Sequence, residues 1–92
     1  MSNETLVHTE KPSPYLKQLC KHFGHKLEVD FDDDRGTINF AFGRCDLERT
    51  DGGLLLKASA GSEEELRRVE QVIGSHLVRF GRRDELEVSW PA

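Results

Sequence analysis

Between Leu27 and Ala60 apolar residues recur at every second position, and on either side of this stretch they recur at helical spacing. Leu27, Val29 and Phe31 alternate with Glu28 and Asp30. Ile38, Phe40 and Phe42 alternate with Thr37, Asn39 and Ala41, and Leu54, Leu56, Ala58 and Ala60 continue the pattern. A strand points successive side chains to opposite faces, so each run has one apolar and one polar face. Sheets patterned this way are antiparallel and covered on one side. A chain of 92 residues supports one core and no deep cleft as well. The cover must therefore come from the two flanking helices.

The first helix is signalled by Ser13 as cap and Pro14 at the first helical position, where proline is preorganised. Leu16, Leu19, Cys20 and Phe23 form its apolar stripe; Gly24 lies where it could end, with His25 and Lys26 able to extend the last turn. Ser62 and Glu65 make a capping box, opening a helix from Glu63 to Phe80 with Leu66, Val69, Val72, Ile73, Leu77 and Phe80 on one side. Gly81 suits a left-handed stop. Asp32 to Gly36 and Asp51-Gly52-Gly53 carry turn chemistry. After Gly43 the apolar parity moves to Cys45 and Leu47, which suggests a bulge or bend within one strand. Thr5 to Thr9 predicts a short first strand; Leu86, Val88 and Trp90 predict a last one, ended by Pro91. The expectation is an α+β two-layer sandwich in β-α-β-β-β-α-β order, with a mainly antiparallel sheet and two helices on one face. It is a single domain, 1–92, with residues 1–4 and 91–92 frayed.

The net charge of −4 comes from interspersed acidic and basic residues. That argues against a dedicated nucleic-acid binder, which carries a basic stripe, and gives no reason to expect an anionic membrane surface as partner. No run approaches the roughly 18–20 apolar residues of a membrane span. The first residues lack the charged and apolar regions of a secretory signal. Two cysteines without such a signal point to the reducing cytoplasm.

Three histidines are the candidate ligand-binding residues: His22, His25 and His76. On a continued helix His22 and His25 would lie roughly 60° apart, close enough to share a ligand. Cys20 is about 200° from His22, so one helix cannot present all three to one ion. The spacings of structural zinc sites are absent. His76 falls on the apolar face of the second helix, between Ile73 and Leu77. It is either a core histidine bonded to a carbonyl or side chain, or one wall of a small site beside the first helix. Cys20 and Cys45 fall on core faces, where cysteine behaves as a small apolar residue, so no catalytic residue is assigned. The run Asp30 to Gly36 fails as a calcium loop: Arg35 stands where glycine is needed and Ala41 where the bidentate glutamate is needed. Lys17, Lys21, Lys26, Arg79, Arg82 and Arg83 read as solvated faces and helix ends; were the two helix ends to adjoin, they could hold a carboxylate or an acidic partner.

Three segments also carry a family likeness: Tyr15-Leu-Lys-Gln-Leu-Cys-Lys-His-Phe-Gly-His-Lys26, Gly74-Ser-His-Leu-Val-Arg-Phe80 and Glu85-Leu-Glu-Val-Ser-Trp90. From about Val7 to Trp90 the chain resembles the bacterial domain of unknown function 2218. It departs from the family pattern at Pro14, where arginine is typical before the tyrosine. The resemblance implies an accessory role in iron acquisition, since such domains are sometimes found beside or fused to siderophore-interacting flavin reductases. It points to such a reductase as protein partner and raises iron, haem or a siderophore as what the histidines touch, although no cofactor is required by the sequence. The resulting expectation is a non-enzymatic binding or accessory module linked to iron or siderophore handling. The alternative is a protein–protein interaction domain with purely structural histidines, docking through a polar sheet face bearing Thr37, Asn39, Glu87 and Ser89, through an edge strand, or through the Arg82-Arg83 end. An enzyme ranks third.

Overall fold

A computed structural model describes all residues from Met1 to Ala92. Strand β1 (Ser2–His8) leads into helix α1 (Pro12–Phe23). Strands β2 (Glu28–Phe31), β3 (Arg35–Phe40), β4 (Gly43–Thr50) and β5 (Gly53–Ser59) form a meander, and helix α2 (Glu63–Phe80) and a 3-10 turn (Arg82–Asp84) follow. The sheet order is β1-β5-β4-β3-β2, with every neighbouring pair antiparallel. β1 and β2 therefore occupy opposite edges, and α1 crosses the sheet from β2 to β5 while α2 covers β4 and β5. The expected α+β two-layer class holds, with both helices on one face. Sixteen buried residues form the core between the layers, among them Leu16, Leu19, Ile38, Leu47, Leu54, Leu56, Ile73 and Leu77. No helix is long and apolar enough to cross a membrane.

The element order differs from expectation in two places. The parity shift at Gly43 marks a hairpin, not a bend: Phe40 pairs with Gly43 and Ile38 with Cys45 across β3 and β4. A bulge and a tight turn shift the parity alike, so the pattern could not separate them. What demands glycine here is closeness. A Cβ at Gly43 would lie 2.6 Å from the Ser59 carbonyl oxygen and 2.7 Å from Val69 Cγ2. The second difference is at the end of the chain, where residues 86–92 join no ladder. Leu86 is buried, and Val88 and Trp90 pack against the core. Side chains of β1 hold this segment: Thr5 Oγ1 donates to Ser89 O, and Asn3 Nδ2 to Pro91 O at 2.9 Å. Alternation reports one-sided burial, which an unpaired extended segment shares with a strand.

Smaller corrections follow the same logic. Lys11, not Ser13, caps α1, without a side-chain bond, because Pro12 takes the first helical position. Ser2 to Glu4, expected to fray, pair with Ser59 to Lys57 in the sheet. Gly81 has φ −96°, so it is no left-handed stop; a Cβ there would meet Leu86 Cβ at 2.5 Å. The left-handed residue is Glu85, φ 54°, which turns the chain toward β1. At α2 the Ser62 cap is as expected, its hydroxyl accepting from the Glu65 amide at 3.2 Å.

Candidate functional site

The end of α1 creates the site. Phe23 is the last helical residue, and the Leu27 amide donates back to its carbonyl at 2.9 Å. His25 and Lys26 lie in the turn that follows the helix, and His25 stays near enough to His22 for its charge to act on it. His22 meets His76 of α2, their ring centroids 5.0 Å apart. Phe23 lies 5.0 Å from His22 and 4.9 Å from His76, and Phe80 lies 5.5 Å from His22. His76 Nδ1 stands 2.7 Å from the Val72 carbonyl oxygen one turn back. A carbonyl only accepts, so Nδ1 carries the proton and Nε2 keeps its lone pair in the neutral ring. His76 thus has the carbonyl partner of a core histidine and also the first-helix histidine of a site.

Next to this cluster lies a groove of about 530 Å³, with His22, Phe23, His25 and Lys26 along the α1 side. Phe40, at the end of β3, and Phe42, in the β3–β4 turn, also line it; their rings stack at 5.1 Å, and Phe23 meets Phe40 edge-on at 5.4 Å. From α2, Arg68 places its guanidinium carbon 4.3 Å from the Phe42 ring centroid, a cation–π contact. Leu27 and Val72 complete the apolar lining. Sequence reasoning missed Phe40, Phe42 and Arg68. The parity shift at Gly43 and the four-residue spacing from Arg68 to Val72 were the only signals for them.

Electrostatics keep His22 neutral to lower pH than usual. Loss of solvent against its neighbours is the largest cause, followed by the positive charges of His76, Arg79 and His25. A neutral imidazole offers a lone pair to a hydrogen-bond donor or a metal already carried by a ligand. No three His, Cys, Asp or Glu side chains converge on a point that a metal ion could occupy.

The remaining candidates resolve as structure. Cys20 and Cys45 are fully buried in the core. Burial pushes the Cys20 thiol up to about 12, and pushes Cys45 up as well, aided by Asp46 and Cys20. Thiols held protonated in this way are poor nucleophiles. In the Asp30 to Gly36 run, Asp32 Oδ1 accepts the amides of Asp34 and Arg35 at 2.8 and 2.9 Å, closing the β2–β3 hairpin. Asp33 and Asp34 pair with Lys17 and Arg49 at 2.9 and 3.2 Å. On the open sheet face Thr37 donates to Asp46 at 2.8 Å. Glu87 and Ser89, expected on that face, lie in the unpaired terminal segment.

Comparisons with known proteins agree with this fold. The chain is similar to the NMR structure of PA4090 from Pseudomonas aeruginosa, with 32% identity and a TM-score of 0.81 over 98% of this chain and 94% of that one. The search of curated proteins gives no match. Residues 4–91 match the family model described as an uncharacterized protein conserved in bacteria, and the chain belongs to that family, DUF2218.

Proposed function

We propose that this chain is a non-enzymatic small-molecule binding module, with the groove between α1, the β3–β4 turn and α2 as its site. The observation that carries the reading is the groove's composition: three phenyl rings, Arg68, Lys26 and the imidazoles of His22 and His25 around about 530 Å³. Its size lies within the range of ligand sites, and its apolar lining with few polar groups matches their usual make-up. Such a lining suits a flat aromatic molecule bearing negative charge. The rings would stack on it, Arg68 and Lys26 would receive the charge, and His22 and His25 would contact polar edges. His76, bonded to its own helix, would orient His22 from behind. Imidazoles without a lining carboxylate or thiol to share a proton with favour binding over catalysis.

A ferric catecholate chelate has this chemistry, bringing its iron already surrounded by donor atoms. The family's association with siderophore-interacting flavin reductases supports the iron link and supplies the proposed protein partner, in the bacterial cytoplasm. The test is a ¹H–¹⁵N titration covering histidine side chains, with Fe(II), Fe(III), Zn(II), haem and a ferric catecholate added separately. Saturable changes at His22, His25 and Phe42, abolished by H22A/H25A, are the expected result. Silence with every addition sinks the small-molecule reading and returns the histidines to a structural role.

A further inference from the structure

A second concavity, also about 530 Å³, lies where the start of α1 meets the end of α2. Lys11, Arg79, Arg82 and Arg83 line it, and Asp84 is the one acidic residue. Asp84 is already satisfied, taking hydrogen bonds from the Tyr15 hydroxyl and from Lys11 Nζ, the latter at 3.3 Å. None of the three arginines forms an ion pair, although the chain as a whole carries −4. Unpaired like charges in one groove repel one another, so the arrangement favours an arriving anion. Tyr15 and Phe80 supply apolar walls on the two sides. We propose that this groove binds a compact small molecule carrying two or more oxyanionic groups, phosphate or carboxylate. Guanidinium forks match both groups in bidentate fashion. The concavity suits a small molecule rather than a flat protein face. Because Phe80 also contacts His22 at 5.5 Å, it stands between this groove and the aromatic one.

The test adds pyrophosphate and citrate separately to the full chain at constant ionic strength, following arginine Nε–H and backbone signals of residues 79–84. Saturable shifts with either anion are expected, and the preferred arm identifies phosphate or carboxylate as the ligand chemistry. R82A/R83A, which changes exposed residues only, should weaken binding at least about tenfold. R82K/R83K should recover part of it, since charge returns without the fork. Three results overturn the proposal: no saturable shift, equal affinity in wild type and R82A/R83A, or tighter binding of an acidic hexapeptide than of either small anion. Failure here leaves the aromatic groove untouched, because that groove is read at His22, His25 and Phe42, none of which lines this one.

Discussion

Replacing Gly43 by alanine tests the close approach that places the β3–β4 turn under α2. The new methyl would sit 2.6 Å from Ser59 O, 2.7 Å from Val69 Cγ2 and 3.2 Å from Ala60 Cβ. Neither of the nearest atoms yields easily. Ser59 is held between Arg44 and Ser2 in the sheet, and Val69 is fully buried with a stiff branched side chain. Overpacking of this kind costs about 1–3 kcal/mol. Two contacts under 3.0 Å, one of them with backbone, put G43A in the upper part of that range, about 2–3 kcal/mol; the alanine offsets up to about 1 kcal/mol of it by restricting the unfolded chain, leaving a net loss of roughly 1–2 kcal/mol. For a domain of this size each kcal/mol lowers the Tm by roughly 4–8 °C, so a fall of roughly 4–16 °C is expected in thermal unfolding followed by circular dichroism. Val69→Ala removes one of the two clashes. The G43A/V69A pair should therefore lose less stability than the sum of its single variants, by about 0.5 kcal/mol or more. Phe42 and Arg68 flank these residues, so their NMR signals should move too. A G43A protein within about 0.5 kcal/mol of wild type, the scale of a neutral surface change, or strictly additive effects with V69A, would refute the steric argument.

Other expectations concern titration and reactivity. The hydrogen bond to Asp84, then burial and the Asp84 charge, push the Tyr15 pKa from 10.0 to about 12. The folded state holds this proton longer, so the linked stability is full below pH 10.0 and is lost as pH rises through about 12. Tyr15 is the single tyrosine, so its ultraviolet titration is unambiguous; a native midpoint near 10 would contradict the contact, and Y15F should remove the tyrosine's share of the high-pH loss while leaving the share of the two buried thiols. His22 is held below its ordinary 6.5, so the unfolded chain protonates first. Stability from this group is full above pH 6.5 and declines as pH falls toward the folded pKa; an NMR midpoint for His22 at or above 6.5 would count against the cluster. Cys20 and Cys45 should resist a disulfide reagent at neutral pH and both react after denaturation. Rapid labelling of either in the native protein would show that the core opens there.

The two helical stripes, the one-faced strands and the Ser62 cap were legible in the sequence because each follows from spacing within a few residues. The inward placement of both cysteines was legible for the same reason, and so was the hairpin turn within Asp30 to Gly36. Periodicity says which face a residue occupies but not what lies across from it. The hairpin at Phe40 to Gly43 and the unpaired Leu86 to Trp90 segment therefore escaped it, since both depend on which backbone answers which. The site divides along the same line. His22, His25 and His76 stood out as residue types, but only the packing of α2 over α1 set His22 against His76 and left His25 on the groove's rim. Phe40, Phe42 and Arg68 gave no chemical signal in a linear chain. They belong to the groove because the β3–β4 turn reaches under α2, a contact fixed by the space that Gly43 leaves open.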